Sequence, residues 1–498
     1  MTQEATHTSS WAPGTATIGA PSYALVDDVL TRAPLVLAPS TGVAQAATAM
    51  TSAGLGCAAV PIGGGFAVLT DADIRAWVAV GCPSSADAAS LARCAAPVVR
   101  LGTSATAALI GLLDADVEHV VVIDDDGALR GLISARDLVV SPTTSSASLH
   151  EQLRRASSVG ELRRRAQRLP VVMRDATRRG LPASQVTAVH SSLLDTLVRR
   201  TIELVVARTA DLDTSRFTWL ALGSGGRREA VPSSDLDAAV VLDDGLSTDE
   251  VEAYRAAVAD VVVELRSMGL ASDEHGANPS HRLFSRTASQ WRDGAREWLS
   301  DPSQAQGAVP SKGTVLVSLL VDGRPVVGDP EAPSVREAFH ELRTHPAAMR
   351  LLLHQALVTR ARLPSGWDVL RGRGGSFDVK AHALTPIVHL ARWSALSAGS
   401  PALGTVDRLR ATAGTVVLPQ VEASTLVEIF ELLQRLRLRH QLEQLDAGEA
   451  ATDVVVIDKL SPIDRSVIRQ AVREVAAVQR RAANLLAAAP AALAEIAP

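Results

Sequence analysis

Two aspartates and the glycine-rich turn that precedes them form the pattern in this sequence that best suits catalysis. Asp235 and Asp237 lie two residues apart at the start of the apolar run 238–242, so in a β-strand both carboxylates would point to one face. Because like charges repel, such a pair needs a cation, and Mg²⁺ suits oxygen ligands of this kind. The turn at residues 223–226 lies just upstream and offers backbone N–H groups to phosphate oxygens. A phosphate-binding turn beside metal-binding carboxylates is the combination of groups that nucleotidyl transfer uses.

Two buried strands must hold these groups in place. The apolar runs 217–222 and 238–242 predict them, and the glycines between allow a tight turn and a close approach of backbone to ligand. The alternative is an ordinary strand–turn–strand with a solvated acidic tip. A single Asp-x-Asp would favour that alternative, but the turn and the aspartates together favour a functional site.

The combined motif resembles the signature of the polymerase-beta-type nucleotidyltransferase superfamily. Its Gly-Ser pair is followed, after a spacer of ten residues, by Asp-x-Asp at a strand start. Within that superfamily the chain is most similar to bacterial CBS-domain-containing nucleotidyltransferases related to the PII-protein uridylyltransferase. The resemblance implies transfer of a nucleoside monophosphate from a nucleoside triphosphate (NTP) to an acceptor hydroxyl, on either a regulatory protein or a small molecule.

The resemblance also implies roles for individual residues. Three carboxylates would bind two Mg²⁺ ions, and the turn with its neighbours would hold the triphosphate. The carboxylates are Asp235, Asp237 and Asp322, the turn residues are Gly223, Ser224 and Gly226, and Arg227 would add positive charge while Glu229 orients it.

Asp322 follows a predicted strand at 314–321. It opens the sequence Asp-x-Arg-Pro-x-x-Gly-Asp, which again resembles the family and implies a third carboxylate beside the other two. The alternative is a strand-ending turn, which an Asp-Gly pair favours by itself.

A β-α-β-β-α unit occurs twice near the N-terminus. Each copy has a hydroxyl three residues before a carboxylate at its last strand–helix junction, Thr70 with Asp73 and Ser134 with Asp137. The repeat resembles a CBS-domain pair, and the resemblance implies that these residues bind the phosphate and ribose of an adenine nucleotide. The alternative is a pair of helix N-caps, which use the same residue types at the same spacing.

The C-terminal half is predicted to be helical and resembles the substrate-binding domain of the same family. Its basic residues Lys380, Arg408, Arg437 and His440 either contact substrate or lie on solvated helix faces. We expect this half to form a second wall of the active site, because a phosphate turn and metal ligands alone give little hold on a base or acceptor.

The predicted fold class is α/β plus α. An N-terminal CBS-domain pair is followed by a polymerase-beta-type nucleotidyltransferase fold with a mixed sheet, and then by a helical bundle. The predicted bounds are 1–20 (disordered tail), 21–145 (CBS pair), 146–212 (helical connector), 213–332 (nucleotidyltransferase domain), 333–486 (substrate-binding domain) and 487–498 (tail).

Composition and sequence pattern argue against several classes of protein. A net charge of −5 argues against a general nucleic-acid binder, and no apolar run approaches the ~20 residues that span a bilayer. The first residues lack the pattern of a signal peptide, and the three cysteines show no metal-ligand spacing. We therefore expect a cytoplasmic enzyme without membrane or nucleic-acid partners, and we expect a homodimer. The rival expectation is a catalytically weak or inactive module that senses nucleotides.

Overall fold

The computed structural model describes most of the chain. The described residues are 25–30, 33–63, 65–81, 83, 86–92, 96–135, 137–140, 144–209, 212–270, 277–300, 321–329, 342–363, 375–415 and 418–488. The tail predicted at 1–20, most of the tail predicted at 487–498 and nearly all of the strand predicted at 314–321 lie outside these residues. So do two of the cysteines, Cys82 and Cys94.

The N-terminal region contains the two predicted units in succession. In the first, Val36 forms a single parallel bridge with Ala59, and the next two strands form an antiparallel hairpin. In the second, the first strand runs parallel to the next, which pairs antiparallel with the last. The strands are β1 (Cys57–Ile62), β2 (Gly65–Thr70), β3 (Val98–Arg100), β4 (His119–Ile123) and β5 (Leu129–Ser134). The helices are α1 (Val26–Val29), α2 (Val43–Ala53), α3 (Asp71–Ala79), α4 (Ala88–Leu91) and α5 (Ala105–Ala115), and a 3₁₀-helix (Asp137–Val140) follows β5.

Four helices connect these units to the central sheet: α6 (Thr144–Arg154), α7 (Val159–Ala166), α8 (Leu169–Arg178) and α9 (Ala183–Val206). The long helix α9 is buried over most of its length. Its Leu193 and Leu197 share a hydrophobic core with Trp219 and Val240 of the central sheet. The connector is thus packed as part of the central domain.

The central sheet has four strands in the order β8-β7-β6-β9. Strand β6 (Phe217–Ala221) pairs antiparallel with both β7 (Ala238–Leu242) and β9 (Arg324–Val327), and β8 (Ser285–Thr287) runs parallel to β7. The sheet is therefore mixed, as predicted. Its helices are α10 (Gly223–Gly226), α11 (Thr248–Ser267) and α12 (Ala288–Ser300), with short 3₁₀-helices at Thr214–Arg216 and Arg282–Phe284.

Side chains alternate between the two faces of this sheet. Trp219 and Val240 face the connector helices, whereas Leu220 and Val241 pack against Trp291 of α12. Covered on both faces, β6 and β7 are buried throughout, which explains why they appear in the sequence as continuous apolar runs.

The C-terminal half is mainly helical, as predicted, with a small antiparallel ladder between β10 (Ser376–Asp378) and β11 (Val454–Val456). Its helices are α13 (Pro346–Val358), α14 (Thr385–Ala398), α15 (Thr405–Ala411), α16 (Gln420–Asp446) and α17 (Pro462–Ala488), with a π-helix at Lys380–Leu384 and a 3₁₀-helix at Ile457–Lys459. No helix in the described part of the chain is long and apolar enough to cross a membrane.

Candidate active site

The glycine-rich turn and the aspartate pair meet at one end of the central sheet. Leu222 donates its backbone N–H to the carbonyl of Asp237 over 2.9 Å. Gly223 has a left-handed φ of +52°, and a Cβ placed on it would lie 2.6 Å from Oδ2 of Asp237. Only glycine fits there without displacing the carboxylate. The sequence therefore brings the phosphate turn into contact with one of the proposed metal ligands.

The two aspartates are partly buried, and their negative charges repel each other. Burial, together with the charge of Asp235, raises the pKa of Asp237 to about 6, and Lys380 and Arg227 oppose the shift. Both side chains are only half-buried, so they remain open to a ligand. A divalent cation would relieve this repulsion, and the oxygen-only donor set fits Mg²⁺.

Asp322 does not join this pair as the predicted third ligand. The residue is fully buried, and both of its carboxylate oxygens accept hydrogen bonds from guanidinium groups. Arg408 Nη1 lies 2.6 Å from Oδ1, Arg392 Nη2 lies 2.6 Å from Oδ2, and Arg227 also donates to Oδ2. Burial alone would raise the pKa of Asp322, but the three arginines hold it well below its usual range. Within the described part of the chain, no three or more His, Cys, Asp or Glu side chains are arranged to hold a metal ion.

Arg227 and Glu229 belong to the same buried network. Arg227 Nε donates to Glu229 Oε2 over 2.7 Å, which is the contact expected if Glu229 orients Arg227. The other oxygen of Glu229 accepts from the backbone N–H of Thr405 over 2.6 Å. Arg227 therefore contacts two carboxylates at once, and its part in binding pyrophosphate stays a prediction.

The remaining turn residues differ in what they contact. A Cβ on Gly226 would lie 1.9 Å from the carbonyl oxygen of Asp322, so glycine is needed there for backbone packing. Ser224 is half-buried, and its carbonyl accepts from the N–H of Glu229 over 2.8 Å, which closes the turn. The phosphate role of Gly226 and Ser224 stays a prediction, and for Gly226 the packing requirement is a sufficient reason for glycine.

The helical half holds the loop that leads to the aspartates. Ser233, two residues before Asp235, accepts from Gln441 Nε2 over 2.7 Å and donates to Asp453 Oδ1 over 3.0 Å. Asp453 in turn accepts two bonds from Arg437, at 2.6 and 3.0 Å. The expected second wall is therefore in contact with the active-site loop.

The four basic residues singled out in this half fall into two groups. Arg408 and Arg437 are buried and ion-paired, so neither lies on a solvated face. His440 bonds the carbonyl of Val454 through Nε2, and Lys380 is exposed. Sequence reasoning missed Arg392 and Asp453. Thr405 and Gln441 belong to stretches that resemble the family, but no signal marked either as a contact of the candidate site.

Models of protein families match three parts of the chain. "Putative nucleotidyltransferase DUF294" matches residues 167–305, "Putative nucleotidyltransferase substrate binding domain" (DUF294_C) matches 347–485, and "CBS domain" matches 88–143. The chain belongs to this CBS-containing DUF294 nucleotidyltransferase family. It thus has a CBS domain near the N-terminus, a nucleotidyltransferase-like domain in the middle and a helical C-terminal region.

Solved structures are similar to part of the chain. One is a CBS domain protein (PAE2072) from Pyrobaculum aerophilum complexed with AMP, 24% identical, covering 23% of this chain and 89% of its own, with a TM-score of 0.22. A hexameric CBS-CP12 protein from bloom-forming cyanobacteria is 16% identical and covers 38% of this chain and 100% of its own, with a TM-score of 0.23. No curated protein matches the chain significantly.

The two N-terminal units share a cavity of about 1070 Å³. Thr70 of the first unit and Ser134 and Asp137 of the second line it, while Asp73 lines an adjoining cavity of about 560 Å³. Thr70 and Asp73 form a complete capping box on α3, so the N-cap alternative accounts for that pair. Ser134 donates to Asp137 through both its N–H and its hydroxyl, at 2.7 and 2.6 Å. The adenine-nucleotide role of both pairs stays a prediction.

The CBS domain contacts the nucleotidyltransferase domain beside the active-site turn. Arg228 Nη1 lies 2.5 Å from Oδ1 of Asp114, at the end of α5, and 2.8 Å from the hydroxyl of Ser192 in α9. Arg199 of α9 donates to the carbonyls of Leu113 and Asp114 and to that of Val326 in β9. Helix α9 therefore bonds to both domains, and Arg228 is the residue next to Arg227 in the turn.

Proposed function

We propose that this protein transfers a nucleoside monophosphate from an NTP to an acceptor hydroxyl. One observation carries the proposal: Gly223 of the glycine-rich turn lies so near Asp237 that a Cβ on it would be 2.6 Å from Oδ2, so a triphosphate on the turn would lie against the aspartate pair. The phosphates of such a ligand would lie beside the carboxylates proposed to hold its metal, which is the arrangement that nucleotidyl transfer needs.

The reaction has a simple balance. The acceptor oxygen forms a bond to the α-phosphorus, the bond from that phosphorus to the β-phosphate oxygen breaks, and pyrophosphate leaves with its electrons. The proton of the hydroxyl passes to solvent. Asp235 and Asp237 would hold Mg²⁺, which supplies charge neutralisation on the phosphates. Ser224 and the backbone of the turn would orient the triphosphate.

Asp322 acts differently in this proposal from what the family resemblance implies, whereas Arg227 keeps its implied role. Asp322 is assigned to positioning, because three guanidinium groups occupy its oxygens. It holds Arg227 beside the turn and ties the sheet to α14 and α15 through Arg392 and Arg408. Arg227 remains near enough to Asp237 to influence its pKa, which suits a positive charge that stabilises departing pyrophosphate.

The acceptor is proposed to be a protein hydroxyl, following the similarity to the PII-protein uridylyltransferase; a small-molecule hydroxyl is the alternative. The test is incubation of the purified chain with each of the four NTPs labelled at the α-phosphate, Mg²⁺ and cell extract. Label in a protein band supports the protein acceptor, and label in a small molecule supports the alternative. If the wild type transfers no label and releases no more pyrophosphate than the Asp237→Asn variant does, the proposed function is overturned.

Regulation by an adenine nucleotide at the CBS cavity is part of the proposal. Asp116 lines that cavity two residues after Asp114, which is paired with Arg228 of the catalytic turn. A ligand that moves the end of α5 would therefore move a residue adjacent to Arg227. The test is the effect of AMP, ADP and ATP on turnover of a second, non-adenine NTP.

The second candidate is a nucleotide-sensing module with weak or no catalysis. The position of Asp322 favours it, because a carboxylate bound by three arginines cannot also bind the metal that activates the acceptor. Such a module would bind NTP and adenine nucleotide, but it would release no pyrophosphate with any fraction of the cell extract offered as acceptor.

A further inference from the structure

Lysine is rare in this chain. Of 49 basic residues only Lys312, Lys380 and Lys459 are lysine, and the others are arginine. The two types are not interchangeable, because a lysine ammonium is a compact charge on a flexible stem, whereas a guanidinium is a planar fork that matches a carboxylate. A lysine ammonium therefore suits a triphosphate, because it can follow the negative charge that builds up on the phosphates during a reaction.

The residue before Lys380 is bonded to the segment that holds the loop leading to the aspartate pair. Val379 donates its N–H to the carbonyl of Asp453 over 3.0 Å, and Asp453 accepts from the hydroxyl of Ser233 over 3.0 Å. Ser233 is two residues before Asp235, so a short chain of bonds connects Lys380 to that carboxylate. Lys380 is also the first residue of the π-helix Lys380–Leu384, an element often found at functional sites.

The cations around this site differ in what already binds them. Arg227, Arg392 and Arg408 all donate to Asp322. Lys380 is exposed, and its charge opposes the rise in the pKa of Asp237, which places it within electrostatic reach of that carboxylate. Within the described part of the chain, Lys380 takes part in no ion pair, so its ammonium is available to a ligand.

We propose that Lys380 is a catalytic residue whose ammonium binds the β- and γ-phosphate oxygens of the NTP on the Asp235–Asp237 side of the turn. The inference rests on the proposed function and deepens it, since it assigns the triphosphate a cation from the helical domain. That domain then supplies charge to the leaving pyrophosphate as well as holding the active-site loop.

The test is calorimetric titration of the full chain with Mg²⁺ and an NTP analogue that has a methylene group between the α- and β-phosphates, so that binding is measured without turnover. All four bases are tried, and the corresponding monophosphates are titrated in parallel. The variants are Lys380→Ala and Lys380→Arg. The matched control is Lys459→Ala, an exposed lysine of the same domain.

Lys380→Ala is expected to weaken triphosphate binding roughly tenfold, the usual effect of losing one charge-assisted hydrogen bond, and to change monophosphate binding much less. Lys380→Arg should recover part of the loss, and Lys459→Ala should bind like the wild type. Wild-type affinity in Lys380→Ala, or equal losses for tri- and monophosphate, overturns the role of Lys380 and leaves the proposed function standing. If the wild-type chain binds none of the four analogues, the proposed function itself fails, and the inference fails with it.

Discussion

Arg228 Nη1 lies 2.5 Å from Asp114 Oδ1, and this ion pair joins the glycine-rich turn of the candidate site to the last turn of a CBS helix. Arg228 has a φ of 60°, a left-handed conformation that costs a non-glycine residue roughly 1–2 kcal/mol. Glycine would be the ordinary choice there. Compared with glycine, the arginine side chain at this position adds the ion pair with Asp114 and the hydrogen bond to Ser192.

The first prediction follows from that pair. Arg228→Gly should keep the turn, because glycine adopts the same φ without strain, but it should abolish the effect of adenine nucleotide on turnover. Asp114→Asn should act in the same direction. Turnover assayed with and without AMP or ATP checks this, and full regulation in Arg228→Gly would show that coupling runs elsewhere.

A double-mutant cycle measures the strength of the pair itself. For Arg228 and Asp114, which are partly buried, we expect a coupling of about 1 kcal/mol in the free energy of unfolding. The control pair is Arg100 and Asp125, exposed and 3.8 Å apart in the same CBS unit, where the coupling should be about 0.3 kcal/mol or less.

The second prediction concerns the aspartate pair. Asp235→Asn combined with Asp237→Asn should abolish metal-dependent use of NTP while thermal stability without Mg²⁺ holds or rises, because the repulsion is removed. Added Mg²⁺ should raise the melting temperature of the wild type but not of the double variant. Asp260→Asn, an exposed change on α11, is the control. A sharp loss of stability in the double variant would mean that the pair is structural.

The third prediction separates the two roles considered for Asp322. Asp322→Asn leaves three guanidinium groups around a neutral amide in a buried site, so it should destabilise the protein by roughly 3 kcal/mol or more. Asp243→Asn, which breaks the exposed pair with Arg216, should cost less than about 1 kcal/mol. Denaturant unfolding measures both. Unchanged stability in Asp322→Asn, together with loss of the Mg²⁺ effect on melting, would restore the metal-ligand role.

How far the sequence predicted this site depended on how local each contact is. The strands at 217–222 and 238–242 and the turn between them were predictable, because their apolar runs and glycines are continuous in sequence. The meeting of Gly223 with Asp237 follows from that hairpin. The mixed sheet was expected from the family resemblance, and the helical C-terminal half was predictable from its periodicity.

Contacts between distant segments were not predictable. The partners of Asp322 include Arg392 and Arg408, which are 70 and 86 residues away in sequence, and no spacing rule connects them. For the same reason the sequence could not divide the four basic residues of the helical half: Arg408 and Arg437 look like solvated helix arginines until their carboxylate partners are known.

The fourth prediction compares the two CBS units. Asp137→Asn should weaken binding of adenine nucleotide to the full chain more than Asp73→Asn does, because Asp137 lines the larger cavity whereas Asp73 completes a capping box. Asp73→Asn should instead lower stability by about 1 kcal/mol, the usual loss for a helix cap. Calorimetric titration of ATP, ADP and AMP checks the binding, and thermal unfolding checks the cap. Equal effects on binding would place the ligand between both units.

The fifth prediction is a pH dependence of stability that originates at His190. This side chain of α9 is buried, and burial lowers its pKa to about 4, whereas an unfolded histidine has a pKa near 6.5. Between those two values the unfolded state binds more protons than the folded state, so stability falls as the pH falls from about 6.5 to about 4. The loss from this one residue should reach roughly 2 kcal/mol by about pH 5.

His190→Gln should flatten the slope in that window, while the exposed His354→Gln should not. His389, whose pKa burial and the charges of Arg392 and Arg227 lower to about 3, contributes in the same direction, so some slope should remain. Urea unfolding at half-unit steps of pH measures the three curves, and an identical slope in His190→Gln and wild type would refute the assignment.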